Sequence, residues 1–310
     1  MKLLRGIVGA AAVLALLGQV ATVGAADKLK PFVLASVSSG ADIQAKAEEV
    51  KGALTGQGFT VVGEYSPYDN AHVIVVTSDE LKAAAGKTKR GGYGAVARIG
   101  ITRVGDQLQV AYVNPVYIQN AYRMDADLSG VADKLAKALG SKQTFGSEDG
   151  LKPKALRKYH YMFGMEYFDD PYELGEFASH EQAVEAIEKG LAEKRGGVSK
   201  VYRLDLPGDV TLFGVSLSAG PSNDKYRDDT FQMGVVDFRD LKGTAYLPYE
   251  ILVRGKEVEA LHMRFRMAVH FPDLSMMGDH SFMRVKSSPP AIEKALLEVT
   301  GKGKKKDDDY

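Results

Sequence analysis

The sequence predicts an α+β protein of two tandem, similar modules, each an antiparallel β-sheet packed by helices. Three observations carry this. Apolar residues recur at 3.6 spacing in some segments and in β-rich runs in others. The β-rich runs come in pairs joined by short Gly- or Pro-containing turns, as hairpins do. The same order of elements then recurs in the second half. A chain of 310 residues, 45% hydrophobic and 26% charged, has room for two such modules. That composition also rules out a largely disordered chain or a multi-span membrane protein.

In the first half, residues 32–37 read as a strand. A helix over 42–54 follows, with Ile43, Ala47, Val50 and Leu54 on one stripe and Asp42 as N-cap. Gly56 and Gly58 stop it. Runs at 59–65 and 72–77 flank a Ser-Pro-Tyr-Asp-Asn turn, and runs at 94–103 and 107–113 flank Val104-Gly105-Asp106. Asn114-Pro115 ends the last run, and a helix over 129–139 closes the module with Val131, Leu135 and Leu139 inward.

The second half repeats this order after a Gly/Ser/Lys linker at 141–154. A strand is expected over 159–168, then a helix over 179–193 opened by a Ser179/Gln182 capping box. Runs follow at 201–206 and 211–216, then a pair around Arg254-Gly255-Lys256, a Phe271-Pro272 stop and a helix over 290–299. Pairing Gly105 with Gly255 and Pro115 with Pro272 requires a seven-residue insertion in the second half. The modules are placed at 27–145 and 146–301.

The element order, Gly58–Gly63 (Gly-Phe-Thr-Val-Val-Gly) and Leu247-Pro248 entering a strand together resemble the bacterial domain-of-unknown-function 302 family. The resemblance lies mainly over residues 159–301. It implies a compact antiparallel sheet packed by helices and brings no established activity.

The first 26 residues read as a signal peptide. Lys2 and Arg5 precede an apolar run over 6–20, and small residues at 23–26 suit cleavage. Removal takes two of the 40 basic residues and none of the 40 acidic ones, so the mature chain is slightly acidic. The expectation is a periplasmic protein with no nucleic-acid partner and no membrane association after cleavage. The Lys/Asp-rich stretch at 302–310 reads as a disordered charged tail. With no cysteine, disulfides, thiolate metal sites and thiol nucleophiles are excluded.

Chemical motifs are few. Gly92–Ala97 lacks the strand-then-helix setting of a dinucleotide loop, and Gly214–Ser218 lacks the second glycine of a nucleophile elbow. Acidic pairs Asp169-Asp170 and Asp228-Asp229 read as solvated loop residues. The distribution of Met and His stands out, because eight of nine non-initiator Met and five of six His fall in the second half. Thioether and imidazole are the soft ligands left for copper(I) when thiolates are absent. Residues 273–283 follow a proline, contain a glycine and show no period, so they read as a loop bearing Met276, Met277, His280 and Met283. This set is the expected copper(I) site, with His160 and Met162, about 6.6 Å apart on one strand face, as additional ligands.

Read as a strand, residues 257–271 alternate. Leu261, Met263, Phe265, Met267, Val269 and Phe271 form a buried face, and His262, Arg264, Arg266 and His270 form the opposite one. The alternative expectation is therefore a small organic-ligand or anion binder in which Arg264 and Arg266 clamp an anion beside His270 and Tyr161. No nucleophile–base pair supports an enzyme.

Overall fold

The computed structural model describes residues 28–40 and 42–302; the expected signal peptide and almost all of the charged tail lie outside the described residues. The fold is α+β, as the sequence predicts. The first module runs β1 (Phe32–Ser39), α1 (Ile43–Thr55), β2 (Thr60–Tyr65), β3 (Ala71–Thr77), α2 (Asp79–Ala85), β4 (Ala97–Val104), β5 (Gln107–Val113), α3 (Pro115–Ala121), α4 (Ser129–Leu139) and β6 (Gln143–Phe145). After a short α5 (Pro153–Leu156), the second runs β7 (Tyr172–Glu176), α6 (His180–Ala192), β8 (Val198–Leu206), β9 (Val210–Leu217), α7 (Asp229–Val236), β10 (Tyr249–Arg254), β11 (Glu257–Ala260), α8 (Met263–His270) and α9 (Ser288–Thr300).

Hydrogen bonding orders the first sheet β2-β3-β4-β5-β1-β6 and the second β7-β11-β10-β9-β8. Apart from the added β6, the two orders are the same, and every pairing is antiparallel. Smaller features repeat as well. Asp42 and Ser179 cap α1 and α6 through their side chains. A bulge falls at Val61/Gly63 in β2 and at Lys200/Tyr202 in β8. Gly105 and Gly255 both sit at positive φ, 59° and 57°, in the matching hairpin turns, a region that favours glycine.

The expected pairing of Pro115 with Pro272 is wrong. Pro115 opens α3 behind its N-cap Asn114, and the matching position is Met263, opening α8 behind its N-cap His262. Pro272 lies beyond α8, so no seven-residue insertion is needed. The strand expected over 159–168 does not form either. The chain there turns, with Met165 N donating to Met162 O at 3.0 Å and Gly164 at φ 80°. The linker expected at 141–154 contains β6, which pairs with β1.

Helices α1 and α4 cover one face of the first sheet, and α6 and α9 cover one face of the second. The uncovered faces meet. Thr102 Oγ1 of β4 lies 2.7 Å from Thr244 Oγ1, and the bulges of β2 and β8 touch, Gly63 against Val201. Gly92, ahead of β4, packs on Leu252 of β10, while Gly100 of β4 packs on Ala245, ahead of β10. A Cβ on Gly63 or Gly100 would come within 3.0 Å of backbone atoms of its neighbour, so the close approach there requires glycine, whereas at Gly92 it would come that close only to the tip of the Leu252 side chain. One buried apolar cluster runs through both sheets, so the modules share a core.

Candidate functional site

Burial of charge between the sheets departs most from the sequence expectation. The strand read over 257–271 ends at Ala260, and residues 263–270 form α8. On a helix Met263, Arg266, Met267 and His270 share a face. Nearly the whole helix is buried, Arg264 excepted. Alternation misled because two of the buried residues are Arg and His, which hide a 3.6 period inside an apparent period of two.

Arg266 and His270 accordingly do not line an open face. Arg266 is 0% exposed and stacks on Tyr246 and Tyr249, with its guanidinium carbon 4.1 and 4.6 Å from their ring centres. It donates to Tyr246 O at 2.5 Å and to Pro248 O. Arg98, 4% exposed, donates through Nη1 to both oxygens of Glu250, 1% exposed, at 3.0 Å. Glu250 also stands 3.8 Å from Arg266 Nε. Arg98 Nη2 lies 2.9 Å from His270 Nε2, and because an arginine only donates, Nε2 accepts. Nδ1 then carries the proton and donates to Arg266 O at 2.8 Å. Burial, with Arg98 and Arg266 beside it, holds the His270 pKa well below its ordinary value, so the ring is neutral. These groups tie β4, β10 and α8 together, and Arg266 Nε and Nη1 are buried among them without a hydrogen-bond partner. Arg264 points elsewhere, donating to Glu166 at 2.9 Å, so the two arginines form no clamp.

The expected copper ligands are engaged in different ways. His280 directs Nδ1 to Val235 O at 2.9 Å and stacks on Phe238 at 4.3 Å. His160 turns Nδ1 to Met162 O at 2.8 Å and stacks on Tyr167, while Met277 is 77% exposed. Met276 and Met283 do come together, with Met283 N donating to Met276 O at 3.2 Å, and both line one small cavity. Tyr161 donates to Leu274 O at 2.9 Å and packs on Phe282, holding the 161–168 loop to this region. Among the described residues no group of three or more His, Asp or Glu could hold a metal ion.

A cleft of about 560 Å³ opens between the β1–β6 edge of the first sheet and the 236–243 and 271–274 loops of the second module. Phe32, Phe145, Phe238 and Phe271 give it an aromatic wall. Phe32 lies 5.3 Å from Phe145 and 5.9 Å from Phe271, ring centre to ring centre. Asp237 is the polar group set among them, at the C-terminal end of α7. Its Oδ1 accepts from Gly243 N at 2.8 Å; Oδ2 is buried with no hydrogen-bond partner. Burial pushes its pKa up to about 6. The other acid in the cleft's inner wall, Asp273, is occupied by Ser147 Oγ and Glu148 N. Arg239 and Asp240 are exposed at the rim.

Sequence reasoning missed this cleft because its lining comes from four separated segments. The nearest sequence signal is Phe271 beside Pro272, read as a stop and as the last residue of a buried face. It also placed Asp228-Asp229 in solvent, whereas Asp229 is buried and accepts from Leu217 N at 2.9 Å. Comparison with protein-family models, curated proteins and solved structures gave no match.

Proposed function

We propose that this is an exported, non-catalytic binding protein that takes a small organic ligand with an aromatic or apolar body and a protonated amine. The observation carrying the reading is Asp237, which lines a phenylalanine-lined cleft of about 560 Å³ and whose buried Oδ2 has no hydrogen-bond partner. Concave, mainly apolar sites with a few placed polar groups are where small molecules bind. A carboxylate with a raised pKa and a free lone pair gains most from a cationic donor, which restores the solvation that burial removed. Export rests on the basic-then-apolar N-terminus. Among the described residues no helix is long and apolar enough to cross a membrane.

The chain has no tryptophan, so Phe238→Trp, at the half-exposed mouth of the cleft, places a single reporter there. Titration with 2-phenylethylamine is expected to change its emission saturably, and 3-phenylpropionate is expected to leave it unchanged. Equal responses to both, or to neither, would remove the reading.

A further inference from the structure

A second cavity, of about 160 Å³, lies under the 275–283 loop. Four methionines from three separate segments line it: Met165, Met263 at the start of α8, and Met276 with Met283 across the loop. Phe282 and Pro289 complete its apolar wall. Met263 is buried, whereas Met283 is about half exposed, so the cavity has a floor and a thioether at its mouth.

We propose that these four thioethers form a binding site for a soft monovalent cation, copper(I). Thioether sulfur is a soft, neutral donor that favours copper(I), and the chain offers no thiolate to compete. The charges nearby select the same ion. Arg264 and Lys286 also line the cavity, and Glu166 pairs with only the first, at 2.9 Å. Hard divalent ions need oxygen ligands and find a positive border instead. Copper(I), bound largely through covalent sulfur contacts and carrying one charge, tolerates it. Met283 N donating to Met276 O holds the two backbones side by side at the cavity. His280, Met277, His160 and Met162 are not part of this set, and the site is independent of the amine cleft.

The test titrates the full-length protein anaerobically with copper(I), supplied as its acetonitrile complex, against bicinchoninate. One ion per chain is expected to bind below the micromolar range, with a sulfur-only first shell by X-ray absorption. Met276→Leu and Met283→Leu keep volume while removing sulfur, and each is expected to weaken binding at least tenfold without shifting the melting temperature. His280→Ala and Met277→Leu are expected to change affinity less than twofold. Wild-type protein that fails to compete, leucine variants that bind as wild type, or a loss confined to His280→Ala would each overturn the assignment.

Discussion

Among the described residues Glu250 is the carboxylate paired with both Arg98 and Arg266, the arginines buried between the sheets, so Glu250→Gln is the sharpest perturbation of the shared core. The substitution preserves shape and one acceptor oxygen while removing the charge. Of the two 3.0 Å hydrogen bonds from Arg98, one is lost because an amide NH2 cannot accept, the other runs to a neutral oxygen, and Arg266, 3.8 Å away, loses its counter-ion. At an effective dielectric of about 20, a unit pair 3.8 Å apart is worth about 4 kcal/mol. Removing one partner of a buried pair typically costs about 3–5 kcal/mol, because the remaining charge stays desolvated. At roughly 2–4 °C per kcal/mol for a chain of this size, the melting temperature should fall by about 6–20 °C. Urea unfolding monitored by circular dichroism measures the free energy directly. Lys200→Met, which breaks the exposed pair with Glu188, is the control and should cost less than about 1 kcal/mol. If Glu250→Gln costs no more than the control, the buried charges do not hold the two sheets together.

Met267→Ala should cost about 2–5 kcal/mol in the same assay, because the side chain is wholly buried in α8; a cost below 1 kcal/mol would show that α8 is not a core helix. Gly63→Ala puts a Cβ 2.6 Å from Val201 O at the bulge contact and should cost about 1–3 kcal/mol, read as a lower urea midpoint. Burial raises the Asp229 pKa to about 7, so between about pH 4 and 7 the folded chain keeps a proton that the unfolded chain has released. Its contribution therefore falls by about 4 kcal/mol as pH rises through that window. Asp229→Asn should remove this slope, and an unchanged difference between wild type and variant from pH 4 to 8 would contradict it.

The parts of the fold legible in the sequence are those where burial and periodicity agree. Ile43, Ala47, Val50 and Leu54 mark α1, and all four are buried there. Turn chemistry located both hairpins through Gly105 and Gly255. The reading failed where polar residues are buried by long-range pairing. Nothing near Arg266 or His270 in sequence announces Glu250 or Arg98, which come from other strands, so α8 looked like a strand with a wet face. Residues 159–168 failed for a related reason. Their tyrosines are pinned one by one, Tyr159 to Ala268 O and Tyr161 to Leu274 O, while Phe163 is 99% exposed. Alternating aromatics therefore stand on a loop. Of the expected metal ligands, Met276 and Met283 were legible as loop methionines that packing did not demand. Alternation placed Met263 on a buried face alone, with no sign of the cavity it lines.

The reading of the phenylalanine-lined cleft as an amine site is tested most directly by calorimetric titration of 2-phenylethylamine into wild type and Asp237→Asn at pH 7.5 and pH 5. With the Asp237 pKa at about 6, the carboxylate is ionised at the higher pH and about nine-tenths protonated at the lower. Wild-type affinity should therefore be about tenfold weaker at pH 5, and Asp237→Asn should bind weakly at both pH values with no pH dependence. Equal wild-type affinity at the two pH values, or an Asp237→Asn variant that binds the amine as tightly as wild type, would contradict the account.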